Sequence, residues 1–527
     1  MKSKKKKHFQ TTIILQFILL LFTLSCSKDT ISKKTTKTLH LAACDDPVTL
    51  DPRKGGDALS ATFQFFLFEG LVALHPDGSI TPAQCSSYSV SNDQKTYTFT
   101  LGETHWSDGS VVTSYDFANA WKEMLSPTFA SPNAHLLYSI KNAEEAKKGF
   151  ISLDEVGILA KDANTLIIEL KEPTPHFLSV ISFCVFSPVK APFIEKKPIC
   201  NGPFILSKWS HRKEILLEKN PFFRANKETN IESIHVSVVN SDSTILQMYE
   251  NGELDLIGDP FANIPQNAIQ NLPKDQLLNC PLAATTFISF NIEKKPFSNK
   301  NIRRAFNLAI NRKEIIETVM EFGESPAFCA IPPSLKKQKN THLYEDSNTN
   351  KAKEFLSMGL KELGMKKTEF EQSIAYTYSH TPITHSIAQI LQQQWLTNLE
   401  VHINLENADP KTLMAKLSKR TYSFGQTLYR AQYFDPLSIL ERFQHKANVK
   451  NYPGWENAAF TKLLLQSATE SGEKRCNTLL EAEQILLEEA PIAPLFHWSI
   501  CYLKKPHIKN IQFSPSGGIF FERLCLE

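Results

Sequence analysis

The chain has 527 residues, with 58 Lys and Arg against 55 Asp and Glu, a formal net charge of +3. Five of the lysines fall within residues 1–25, so the rest carries 53 basic against 55 acidic side chains, a net charge of −2. That balance excludes a nucleic-acid footprint. No later run approaches about 18 apolar residues, which excludes further membrane-spanning helices, and the length implies roughly two to four domains.

The chain opens with Lys4 to Lys7, an apolar run from Ile13 to Leu24, and Ser25-Cys26. A basic cluster, a short apolar core and a small residue before cysteine form a bacterial lipoprotein signal peptide. The apolar run would rise only about 18 Å as a helix, against a hydrocarbon core of about 30 Å. Cleavage after residue 25 and lipidation of Cys26 are therefore expected, with an uncleaved anchor as the alternative. Thr23, three residues before Cys26, departs from the usual lipobox. Residues 26–38 are rich in Ser, Thr and Lys and read as a flexible tether.

Ten cysteines include Cys26. The other nine are scattered singly without a CxxC pair, so zinc and thioredoxin-type chemistry are not indicated. An odd number leaves at least one thiol unpaired within a monomer, and small buried apolar residues are the expected role for most.

Alternation predicts strands at Leu39–Ala42 and Tyr97–Leu101, followed by a hairpin around Ser107-Asp108-Gly109. Phe117, Ala120, Trp121 and Met124 fall at helical spacing over Ser114–Leu125, with Thr113 or Ser114 as the N-cap. A strand is predicted at Thr165–Leu170, ended by Glu172-Pro173-Thr174-Pro175, and a tight turn at Asn201-Gly202-Pro203-Phe204. Beyond these, helices are predicted at Ile302–Val319, His385–Asn398 and Cys476–Glu489, and strands at Thr286–Phe290 and Val401–Leu405. Strands interleaved with helices of this length imply mixed α/β layers.

No HExxH, GxSxG, Walker or GxGxxG motif occurs. No constellation indicates catalysis, and no metal or cofactor is expected.

Read in order, the punctuation resembles that of the periplasmic oligopeptide-binding proteins, the receptors of ABC peptide importers. The similarity rests on Thr49-Leu50-Asp51-Pro52, Phe68-Glu69-Gly70-Leu71, Trp106-Ser107-Asp108-Gly109, Ala130-Ser131-Pro132 and Asn201-Gly202-Pro203-Phe204. It continues through Gly252-Glu253-Leu254-Asp255, Ala309-Ile310-Asn311-Arg312, Tyr433-Phe434-Asp435-Pro436 and Lys505-Pro506. Trp106 reads as core, Gly202-Pro203 as a chain crossing, and Arg303 as paired inside a helical interior.

The resemblance implies two α/β lobes of the class II periplasmic-binding-protein type, with a ligand cleft between them and an extra inserted domain. Lobe I would comprise residues 39–68, 198–284 and 498–527, the extra domain 69–197, and the second lobe 285–497. It also implies a monomer that does no chemistry. That monomer would capture short peptides and deliver them to the transmembrane subunits of an ABC permease, held by its lipid anchor at the periplasmic face of a membrane. The alternatives are a receptor for cell-wall (murein) peptides or another solute, or a surface adhesion or signalling module on the same fold.

Carried over residue by residue, the resemblance places the ligand backbone against Gly56, Asp57 and Ala58 and against Leu428, Tyr429 and Arg430. The family's Ala-Asp-Tyr, whose Asp holds the peptide's amino end, is Ala431-Gln432-Tyr433 here. The arginine that usually precedes it is Gln426, and the aromatic after Ser-Pro is Asn133. Either another carboxylate, Asp57 or Asp435, replaces the missing acid, or the ligand lacks a free amino end. Arg430 could meet a ligand carboxylate.

Overall fold

The computed structural model describes residues 37–320, 322–336, 346–514 and 517–527. The signal peptide, Cys26 and nearly all of the tether lie outside the described residues. The described chain starts essentially at the strand Thr38–Ala43.

That strand pairs in parallel with Ser233–Val238, which continues antiparallel to Glu214–Lys219 and then to Phe204–Ser210. A second four-stranded sheet, all antiparallel, runs Cys85–Val90, Thr96–Leu101, Thr165–Glu169, Ile158–Asp162. The helix Ser114–Met124 packs on it through Phe117, Ala120, Trp121 and Met124. Its start is a capping box: Asp116 Oδ2 accepts from the Thr113 backbone N–H at 2.7 Å. One hydrophobic cluster joins both sheets, from Leu39 and Leu41 through Phe66, Phe99 and Trp106 to Phe204 and Val236.

Gly202 is forced by close approach. A Cβ there would lie 2.5 Å from the backbone of Leu67 and Phe68, and its N–H bonds Leu67 O at 2.9 Å. Asn201 seals the same crossing by bonding both the N–H and the carbonyl of Glu69.

The third sheet is ordered Leu256–Gly258, Ile492–Lys504, Leu277–Phe290, Phe424–Arg430, Ala375–Ser379, Asn404–Ala408. Its two long strands, of 13 and 14 residues, run antiparallel at its centre. Their register breaks between Pro281 and Thr285 and again between Thr286 and Phe287, and such breaks bend a strand. On one side of the break, Cys280, Leu282, Ile500 and Tyr502 form one apolar cluster. On the other, Ile288, Phe290, Ala493 and Phe496 belong to a different one. The protein is two-lobed, and at the register break Thr285 faces His497.

Two predicted elements need correction. Ile302–Val319 is two helices, Lys300–Leu308 and Arg312–Val319. Asn311 caps the second by accepting from Glu314 N, while the buried Arg312 reaches the Pro494 carbonyl and Asp346. The strand expected at Val401–Leu405 runs instead over Asn404–Ala408. Glu400 takes a left-handed conformation at the end of the helix Pro382–Leu399, and residues 401–403 connect it to the strand. Arg303 is buried as expected, but its guanidinium donates to the carbonyls of Phe297, Ser298, Glu489 and Ala490 rather than to an acid. The nine described cysteines are all free thiols. No described helix is long and apolar enough to cross a membrane, and the described residues contain no cluster of three or more metal-ligating side chains.

Candidate functional site

The first predicted segment is rigid because its own side chains satisfy its backbone. Asp51, buried at 1 % exposure, binds Arg53 Nε and Nη2, each at 2.8 Å. Arg53 also reaches Glu123. Gln64 Nε2 donates to the carbonyls of Thr49 and Asp51. A Cβ on Gly55 would fall 2.5 Å from Gln64 Oε1, so a larger residue there would displace the Gln64 amide. Gly56, Asp57 and Ala58 are exposed beyond it. Asp57 caps the helix Ala58–Leu67, accepting from Ser60 N at 2.8 Å. Ser131 Oγ donates to Arg53 O at 2.8 Å and Asn133 Nδ2 donates to Gly55 O. Pro132 lies against Gly56.

The second segment is the strand Phe424–Arg430. One edge pairs with Leu277–Phe290 along its whole length. The other edge pairs with Ala375–Ser379 only at Phe424 and Gly425. Among the described residues, the outer edge of Gln426–Arg430 therefore carries no strand. Tyr429 faces the core: it stacks near Phe287 and Phe443, lies under the Arg442 guanidinium at 4.6 Å, and donates its hydroxyl to Lys450 O. Burial holds that hydroxyl well above the usual tyrosine range. Leu428 is 52 % exposed and faces Thr286 in register. Thr286 Oγ1 accepts from Trp498 Nε1 at 2.8 Å. Gln426 Oε1 and Thr427 Oγ1 are buried without a hydrogen-bond partner, a condition that costs about 1–3 kcal/mol per group. Arg430 is exposed, and its charge offsets part of the upward push that burial gives the Asp259 carboxyl.

The loop after this strand is locked to residues 78 and 176–179. Tyr433 is buried in the cluster shared by the first two sheets and stacks on His176 at 4.7 Å. Its hydroxyl donates to Glu441 Oε2 at 2.8 Å. Phe434 N–H donates to Ser179 Oγ at 2.9 Å, and its ring fills the space a Cβ on Gly78 would need. Asp435, 9 % exposed, forms a two-pronged ion pair with Arg475 at 2.6 and 2.9 Å. It also accepts from Leu437 N.

Of the two carboxylates weighed as a substitute anchor, Asp435 is neutralised by Arg475, whereas Asp57 caps a helix with one oxygen and stays exposed. Gln432 is half-buried. Its N–H donates to Ser438 Oγ at 2.8 Å, and its Nε2 lies 3.4 Å from His135 Nε2. His135 stands two residues beyond Asn133, so Gln432, His135, Asn133 and Gly55 form one polar line across the two segments. His135 carries no signal of its own in the sequence, and only the folded approach of residues 135 and 432 reveals it. The structure thus brings together Gly56, Asp57, Ala58, Asn133 and Gln432, with the Gln426–Arg430 edge leading into them. The side chains of Tyr429 and Asp435 turn away.

A family model described as "Bacterial extracellular solute-binding proteins, family 5 Middle" matches residues 79–451. The oligopeptide-binding protein OppA of Bacillus subtilis is 34 % identical over 507 residues, covering 93 % of each chain. The periplasmic murein tripeptide binding protein MppA in its unliganded open form superposes with a TM-score of 0.83 at 27 % identity, covering 93 % of this chain and 98 % of that one. Listeria monocytogenes OppA bound to peptide gives a TM-score of 0.70 at 26 % identity, covering 93 % and 99 %. By the matched model and by near full-length identity above 30 %, the chain belongs to the bacterial extracellular solute-binding proteins, family 5.

Proposed function

We propose that this protein is an exported, lipid-anchored receptor that captures short peptides between its lobes and delivers them to an ABC permease. The observation that carries the reading is the uncovered outer edge of Gln426–Arg430 leading toward the exposed Gly56–Ala58 segment. An extended peptide satisfies such an edge through its own N–H and C=O groups, so affinity is largely independent of side-chain identity. Peptide binding by OppA of B. subtilis and of L. monocytogenes supports the same reading. In this reading lobe I is 39–68, 198–284 and 498–527, the extra domain is 69–197, and the second lobe is 285–497. Closure is a bend at the register break around Thr285 and His497, and ligand binding shifts the population toward the closed state.

The direct test is mass spectrometry of small molecules released from the purified, folded protein. Peptides are expected, and a single non-peptide solute would overturn the reading. The anchor is tested separately: Cys26→Ala should move the protein from the membrane fraction to the soluble fraction. A murein peptide is the second reading, favoured by the lack of an uncommitted carboxylate at Gln432 and by the similarity to MppA. Peptides containing D-amino acids or diaminopimelate among the released molecules would select it.

A further inference from the structure

We propose that His135 reads the charge of the ligand group lying against Gln432, favouring a carboxylate over an ammonium. This rests on the peptide-binding reading above.

The tautomer follows from the contacts. His135 Nδ1 lies 3.2 Å from Pro132 O, and a carbonyl only accepts, so Nδ1 carries the hydrogen. In the neutral ring Nε2 is then an acceptor, facing the Gln432 amide nitrogen at 3.4 Å. The ring is accessible to solvent yet enclosed by protein on most sides, as expected of a cleft wall. That enclosure, followed by the positive charge of Lys450, holds its pKa below the usual histidine value.

The surrounding charges set the preference. Lys450 forms no ion pair among the described residues, and the Glu441 carboxylate and Arg442 guanidinium both act on it. Asp435 is neutralised by Arg475 and Glu441 accepts from the Tyr433 hydroxyl, while Asp57 keeps its charge as the cap of its helix. The charge that acts on the His135 ring is that of Lys450, so an ammonium placed against the ring meets a positive charge there. A carboxylate would meet Lys450 and, on protonation, an imidazolium.

Linkage makes this measurable. An anion beside His135 raises its pKa, so binding takes up a proton, whereas an ammonium lowers it and binding releases one. The experiment is calorimetric titration of alanine oligopeptides, dialanine to pentaalanine, near about pH 6 in buffers of different ionisation enthalpy. It is repeated with the N-acetylated peptides and with His135→Gln, which keeps a side-chain partner for Gln432 but does not titrate. Proton uptake by the wild type, its loss in His135→Gln, and an acetylation effect below about tenfold are expected. Proton release, no linked proton, or uptake that persists in His135→Gln overturns the assignment while leaving peptide binding intact. If no alanine peptide binds the wild type, the peptide reading itself fails and this assignment falls with it.

Discussion

The two segments that approach each other through His135 are built on opposite terms. In Pro52–Ala58 the polar groups are bound internally: Asp51 to Arg53, Gln64 to two carbonyls, Asp57 to a helix N–H, Asn133 to Gly55 O. In Gln426–Arg430 one strand edge is uncovered, and Gln426 Oε1 and Thr427 Oγ1 have no partner. The first segment is a preformed wall. The second leaves hydrogen-bonding capacity for something else to use. Buried polar groups are almost always paired, so the unpaired ones point to where occupancy matters.

The contrast fails most visibly if the loop after the second segment loses its lock. Arg475→Met leaves Asp435 buried and unpaired and is expected to cost about 3–5 kcal/mol of stability. Denaturant unfolding reads this, and a loss below about 1 kcal/mol would mean the loop is held by Tyr433 and Phe434 alone.

The register break at Thr285 and His497 carries the next effect. His497 is 4 % exposed, accepts or donates at 2.8 Å with Thr285 Oγ1, and is pushed down to about 3 by burial, with Lys336 adding to the shift. The unfolded state binds a proton below about pH 6.5 while the folded state does not. Stability is therefore full above that value and falls as pH drops through the window toward the folded pKa, by about 1 kcal/mol per pH unit. His497→Gln should flatten the slope between about pH 6 and about pH 4 relative to the wild type. Parallel slopes in the two proteins would exclude His497 as the source.

The preformed wall is probed more gently by Asn133→Ala. Losing the bond to Gly55 O should cost about 1 kcal/mol and weaken ligand affinity several-fold by loosening the Gly55–Ala58 backbone, which calorimetry would register. The smallest stability effect is expected from Gln426→Leu. It removes a buried amide whose oxygen has no partner, so stability should stay within about 1 kcal/mol of wild type. A loss well above that would show that the Gln426 side chain is already satisfied in the empty protein.

Much of the fold was legible because its signals are local. Thr113 and Asp116 lie three residues apart and cap the same helix start. Asn201-Gly202-Pro203 marks a crossing because only glycine admits the Leu67–Phe68 backbone at 2.5 Å. The break between Leu308 and Arg312 was not legible. Asn311 is compatible with a helix interior, and it becomes a cap only because Arg312 is drawn to Asp346 and the Pro494 carbonyl. In the site, family resemblance located both segments, but which side chains are committed was hidden. Asp435 reads as a turn residue or an anchor until Arg475, 40 residues away, is seen to take both its oxygens.

What the sequence by itself determined is the family, the layered α/β architecture, the caps and turns, and the two segments of the candidate site. These depend on periodicity, on residues a few positions apart, and on the order of short motifs along the chain. Only the tertiary structure decided that Asp435 is held by Arg475, that Tyr429 faces the core, and that His135 meets Gln432. Those outcomes depend on which groups approach across as many as 297 residues. A carboxylate's availability is set by the partner folding brings to it, and a single sequence does not record that.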